Sequence, residues 1–355
     1  MKELLFKIVR LALWGQPSEV CLHAEGFIRL LEIAEQQSVF GLVFDALKDL
    51  QVDGMEDKMP LFEAVGFYEQ IKQQNGLSNK EIVNFVKLCD KNKLENIIVK
   101  GQTLEAIYPK RGVRQSGDID FVIKRSQYNQ FASVLGIELP KKLTEKEFEF
   151  ERNSLSYELH TDLIAFARKR HKKVWNELME KEWAQEHYVE IEGVNVRTLT
   201  PTVNAVYIFI HLFFHFIREG VSLRQMCDWV MALHHYKDEI DSERLKQILL
   251  DLDVFDAYCA FGTILVDKLG LPLKEFPVPI NDKDRKWQER ILDDIFRGGN
   301  FGMLNHEAKS SWKYKVETFC VALRNSFKYY MLCPTEVGGI IPRLVKVNLK
   351  ILLKS

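Results

Sequence analysis

Two aspartates two positions apart, Asp118 and Asp120, open an apolar run that continues through Ile123. In an extended segment alternate side chains share a face, so both carboxylates project to the same side. Two like charges so close repel, and keeping them ionised inside a fold is costly unless a cation answers them. The pair therefore asks for a metal. Hard oxygen ligands on a rigid strand suit Mg²⁺, which keeps several waters and is usually shared between one or two carboxylates and substrate phosphates. Upstream, the apolar run Asn96–Val99 is interrupted at Gly101, and a helix-like pattern at 102–108 stops at Pro109. A helix that starts at a glycine turn presents free NH groups to an anion such as a triphosphate.

Strand, glycine turn, short helix, then Gly117-Asp118-Ile119-Asp120 leading into a second strand resembles the active-site signature of the polymerase-beta-like nucleotidyltransferase superfamily. More narrowly, Lys100-Gly101, Tyr108-Pro109, Arg114 and Asp118-Ile119-Asp120 resemble the bacterial uncharacterised nucleotidyltransferase family. The resemblance implies a two-metal Mg²⁺ site that moves a nucleoside monophosphate from a nucleoside triphosphate to an acceptor hydroxyl, releasing pyrophosphate. It also implies a third carboxylate on a later strand. Residues 154–163, SLSYELHTDL, place Leu155, Tyr157, Leu159 and Leu163 on one face and Ser156, Glu158, His160 and Asp162 on the other. The family's acid, hydrophobe and histidine match Glu158, Leu159 and His160. Glu158 is thus the expected third ligand and general base beside Asp118 and Asp120, with Asp162 as its substitute. The nucleotide's phosphates are expected against Lys100, Gly101, Gln102, Thr103 and Arg114, with Arg111 a weaker candidate. Gln102 stands where the superfamily usually has Ser or a second Gly, so any hydroxyl there has to come from Thr103. The 15 residues between Gln102 and Asp118 are also a long interval.

The elements that position these groups read as an α+β chain. Helical stripes at steps of three and four run through Leu4, Leu5, Ile8 and Leu11, through Phe27, Leu30, Leu31 and Ala34, and through Ile82, Phe85, Val86 and Cys89. A polar break at 53–60 separates the second stripe from the third. The predicted core carries a helix at 125–135, strands at 148–152 and 158–164, and a hairpin at 188–196. Thr200 followed by Pro201 predicts a helix start with a capping hydroxyl, and helices follow at 201–217, 242–252, 255–269, 283–297 and 311–331. The expected organisation is a helical N-terminal region at 1–92, a nucleotidyltransferase core of small mixed β-sheet and helices at 93–200, and a helical C-terminal domain at 201–355.

Other chemistry-bearing residues have plainer readings. His211 and His215 share a helix face but lack a third ligand, which fits packed core histidines. Arg224 and Asp228, one turn apart, fit a structural ion pair fixing their helix against the core, ahead of a nucleotide contact. The basic run at 168–173 fits a solvated helix start, and the basic amphipathic tail at 342–355 fits a terminal helix docked on its own domain. No GxxxxGK, GxGxxG, HExxH or GxSxG motif occurs.

With 49 basic and 50 acidic residues the net charge is −1, so no overall field draws the chain to nucleic acid or to an anionic membrane. A small-molecule acceptor is favoured over nucleic acid. The alternatives are a toxin-like nucleotidyltransferase acting on RNA or protein, which would want a positive groove, and a catalytically inactive nucleotide-binding protein on the same fold. Six scattered cysteines without CxxC spacing read as reduced thiols of a cytoplasmic protein. Glu3, Lys7 and Arg10 break the first apolar run at helical spacing, which predicts an amphipathic helix and no signal peptide; no segment reads as membrane-spanning.

Overall fold

The computed structural model describes residues 1–15, 22–49, 53–54, 57–139, 147–299, 311–339 and 342. Four helices come first: α1 (Lys2–Trp14), α2 (Ala24–Gln36), α3 (Phe40–Leu47) and α4 (Met59–Lys91). Then β1 (Asn96–Val99), α5 (Gly101–Glu105), β2 (Ile119–Ile123), α6 (Tyr128–Leu135), β3 (Glu147–Arg152), β4 (Leu155–His160), α7 (Lys169–Glu182), β5 (Tyr188–Ile191) and β6 (Val194–Arg197) follow. The remainder is helical: α8 (Pro201–Arg218), α9 (Leu223–His235), α10 (Ser242–Asp251), α11 (Phe255–Asp267), α12 (Asp282–Arg285), α13 (Gln288–Gly298) and α14 (Ser311–Lys328). The basic tail lies outside the described residues apart from Pro342.

The fold is mixed α+β with a small mixed sheet. Its strand order is β1-β2-β4-β3, with β2 and β4 parallel and the two outer pairs antiparallel. β1 and β2 are buried along their whole length, as continuous apolar runs should be. Strand alternation sorts their side chains. Ile98, Phe121, Tyr157 and Leu159 face α4 and α6, where Phe121 lies 4.8 Å from Phe85 and 5.6 Å from Phe131, ring centre to ring centre. Ile97, Val99 and Val122 join the larger apolar core built with the C-terminal helices. Asp120 shares the face of Val122, and Glu158 is its partner across the parallel pair.

The N-terminal helices do more than cover the sheet. Trp14 Nε1 donates to the Leu269 carbonyl at 2.6 Å and Phe6 packs edge-on against Phe296, so α1 shares its apolar core with α11 and α13. The β5–β6 hairpin turns at Glu192 and Gly193, both at positive φ, as a tight two-residue hairpin requires. Several expectations shift. The third helical stripe belongs to the 33-residue α4, and the helix expected at 283–297 divides into α12 and α13. The strand expected to reach 164 ends at His160, so Asp162 lies past the alternation. Thr200 is the N-cap of α8, but its hydroxyl donates to Glu182 Oε1 and caps no NH of its own helix. Among the described residues no helix is long and apolar enough to cross a membrane.

Candidate active site

Lys100 ends the turn after β1 in a backbone conformation that side chains other than glycine rarely adopt, φ 53° and ψ −146°. Such residues cost on the order of 1–3 kcal/mol and persist only where their surroundings hold them. Here two groups hold Lys100: its Nζ lies 2.9 Å from Asp120 Oδ1 and 2.9 Å from His211 Nε2. Gly101 follows with φ 45°, and a Cβ there would come within 3.4 Å of the Asp118 carbonyl oxygen. The glycine lets the Lys100 turn and the Asp118 strand entry approach each other.

Asp120 is almost fully buried and accepts from His160 Nε2 at 2.6 Å. His160 Nε2 is also 3.6 Å from Glu158 Oε2, and the ligand atoms of Asp120, Glu158 and His160 all fall within 4.8 Å of one another. Burial alone would raise the Asp120 carboxyl, but Lys100 and His160 hold it well below the usual carboxylate range. Burial also opposes charge on Lys100, and Asp120 beside it more than restores the ammonium. Glu158 lacks such company. Burial, then the charges of Asp120 and Asp118 and a hydrogen bond with Asp118, push it up to about 9.

The sequence-predicted acids therefore converge. Asp118, Asp120 and Glu158 line one cleft of about 280 Å³ together with Lys100, Gly101 and Arg114. Asp162 does not join them; it pairs with Arg125 at 2.7 Å and Lys172 at 2.6 Å. Gln102 turns away, its amide donating to Asn79 Oδ1 at 2.7 Å, and the Thr103 hydroxyl donates to the Lys100 carbonyl at 2.7 Å. Arg111 is exposed and lies 4.0 Å from Glu105. Arg114 reaches the cleft wall with its fork already closed, Nε to Asp228 Oδ1 at 2.6 Å and Nη2 to Oδ2 at 2.8 Å. Asp228 thus pairs with Arg114 where the sequence suggested Arg224, and Tyr108 donates to it as well. The basic run at 168–173 is mostly structural: His171 and the backbone NH of Arg168 are held by the buried Glu336, and Lys172 by Asp162.

His160, His211 and His215 are members of the site that residue-type reasoning left out. The histidines of α8 are no packed core pair; both line the cleft, with ring centres 4.4 Å apart. Their signal was present as polar positions at steps of four, His211, His215 and the C-cap Glu219, in the largely apolar second half of the helix.

The donor set fits a divalent cation. The ligand atoms that come together are those of Asp120, Glu158 and His160; Asp118, expected as a ligand, lines the same cleft but falls outside that group, and the raised Glu158 marks negative charge in excess of its compensation. Oxygen ligands from two adjacent strands suit Mg²⁺ or Mn²⁺.

A protein-family profile described as "Uncharacterised nucleotidyltransferase" matches residues 24–269. Comparison with the curated proteins finds no match. A crystal structure of an antigenic nucleotidyltransferase-like protein from Paracoccidioides brasiliensis is similar at 12% identity, covering 57% of this chain and 93% of that one, with a TM-score of 0.30.

Proposed function

The chain belongs to the uncharacterised nucleotidyltransferase family, and from that premise we propose that it is a Mg²⁺-dependent enzyme transferring a nucleoside monophosphate from a nucleoside triphosphate to an acceptor hydroxyl. The observation that carries this reading is the pairing of Asp120 with Glu158 across the parallel strands β2 and β4, with Asp118 at the strand entry lining the same cleft. Asp118, Asp120 and Glu158 would hold the metal, with His160, 2.6 Å from Asp120 and 3.6 Å from Glu158, positioning the acids. Mg²⁺ would supply Lewis-acid neutralisation of charge on the phosphates and the leaving pyrophosphate.

The residues of the chain do the rest. Lys100, set by its strained turn and by Asp120 and His211, would place a positive charge beside the reacting phosphate. Glu158, freed of its proton when the cation binds, would accept the proton of the attacking hydroxyl. The acceptor oxygen forms a bond to the α-phosphorus, the bond from that phosphorus to the bridging oxygen breaks, and pyrophosphate departs. His211 and His215 on α8 would line the acceptor's approach.

A cleft of about 280 Å³ in a chain of net charge −1 suits a small acceptor better than RNA or a protein. The test is pyrophosphate release with each of the four nucleoside triphosphates, with and without Mg²⁺, against panels of hydroxylated small molecules, tRNA and proteins. Release that needs Mg²⁺ and disappears in Asp120→Asn supports the reading. Binding of triphosphate without release for any acceptor points to an inactive nucleotide binder, and release with tRNA or a protein alone points to the toxin-like alternative.

A further inference from the structure

We propose that Arg224 reads the polyphosphate of the substrate, its guanidinium taking oxygens beyond the α-phosphate and so selecting a nucleoside triphosphate over a monophosphate. This rests on the nucleotidyl-transfer reading above.

Arg224 stands in the first turn of α9 and lines the same cleft as the three carboxylates. Among the described residues its guanidinium makes one hydrogen bond, from Nη1 to the Gln115 carbonyl at 2.8 Å, and no carboxylate lies within ion-pair distance of it. The acid a turn further on, Asp228, has given both oxygens to Arg114. One arginine of the cleft wall is therefore spent and the other is open. Burial, then the neighbouring charge of Arg114, hold Arg224 below the usual arginine range, as expected for a cation short of negative company.

The next residue points the same way. Gln225, 8% exposed, uses its carbonyl oxygen to accept from the Ser222 NH and hydroxyl. Its amide nitrogen and the Arg224 Nε are both buried donors with no acceptor among the described residues. The backbone NH groups of this turn are taken by Gln37 and by the Ser222 cap, so it is these two side-chain donors, both lining the cleft, that are complementary to an anion. The carboxylates elsewhere in the cleft call for a cation. A ligand satisfying both is a polyphosphate that carries its own divalent ion. Arg224 shares the cleft with Asp120 and Glu158 but makes no ion pair with either, so the oxygens assigned to it are those beyond the phosphate that reacts between those two acids. A guanidinium suits that task because its fork takes two oxygens at once.

The experiment uses the full chain with MgCl₂. ATP, GTP, CTP and UTP are titrated calorimetrically, and the one bound most tightly is compared with its own monophosphate in wild type, Arg224→Gln and Arg224→Lys, with melting curves as a check on folding. The expected result is a loss of about 10- to 100-fold in triphosphate affinity for Arg224→Gln, monophosphate affinity within about twofold, and an intermediate loss for Arg224→Lys, which keeps the charge without the fork. Equal weakening of both nucleotides, or an unchanged triphosphate affinity, overturns the assignment. If Arg224→Gln fails to fold, Arg224→Lys decides by the same difference between the two nucleotides. A wild type that binds none of the triphosphates sinks the parent reading and this one with it, a result distinct from either of those failures.

Discussion

The Nζ of Lys100 lies 2.9 Å from Oδ1 of Asp120, tying the strained turn after β1 to the central acid of β2. Neither group is well placed alone, because each is buried and each supplies the other's counter-charge. Lys100→Met should therefore damage the protein twice. Turnover should fall by about 10²–10³-fold from the lost positive charge at the reacting phosphate, and stability by about 1–3 kcal/mol from a buried carboxylate left with His160 as its remaining partner. Steady-state pyrophosphate release and urea denaturation measure the two. Full activity in this variant contradicts the role given to Lys100.

Metal binding should be linked to proton release. With Glu158 pushed up to about 9, the cation-free site carries a proton at pH 7 that an arriving Mg²⁺ must displace. Affinity for Mg²⁺ should therefore tighten as pH rises from 6 towards 9. Titration in two buffers of different ionisation enthalpy at pH 7 should show about one proton leaving per cation, and Glu158→Gln should abolish the buffer dependence. Identical heats in both buffers argue against the assignment of Glu158.

Asp228 gives a prediction about acid stability. Burial raises its carboxyl, but the Arg114 fork overrules this and holds it below the ordinary value of 3.8. A depressed acid stabilises the fold fully above its unfolded-state pKa, and that contribution is lost as pH falls through the folded one. Wild type should lose stability steeply below about pH 4. Asp228→Asn should be about 3–5 kcal/mol less stable at pH 7, with a flatter dependence below pH 4. Parallel urea-midpoint curves for the two proteins between pH 2 and 6 contradict the pairing.

Gln102 tests whether the departure from the superfamily's serine matters for the cleft. Its amide is engaged with Asn79 and with Asn75, the residue whose own amide holds the Gly112 and Arg114 carbonyls. Gln102→Ala should cost about 1–2 kcal/mol in stability by stranding those partners, while triphosphate affinity stays within about threefold. A collapse of affinity with unchanged stability shows that the side chain reaches the nucleotide.

How much of this was legible in the chain depends on how local each feature is. β1 and β2 read correctly because a strand buried on both faces is a short uninterrupted apolar run, and the Asp118–Asp120 spacing needs only the strand's period. Glu158 could not be separated from Asp162 by alternation, since nothing in the pattern marks the end of β4 at His160. The long α4 was only partly visible: Gly66, Gly76 and the polar run at 72–75 dilute its periodicity, and its site-facing work falls to the polar Asn75. The Arg114–Asp228 pair spans 114 positions. Local spacing offered Arg224 instead, one turn away, and only the tertiary fold frees that arginine. His211 looked like a core histidine on an apolar helix because its partner, Lys100, lies 111 positions upstream.

The central claim is that Asp118, Asp120 and Glu158 share one divalent cation. Crystals soaked with Mn²⁺ and a non-hydrolysable triphosphate, measured at the manganese absorption edge, test it most directly. The account predicts an anomalous peak about 2.1–2.2 Å from oxygens of these three side chains and of the phosphates. A fully occupied nucleotide with no peak among the three carboxylates, or with its metal held elsewhere, contradicts it.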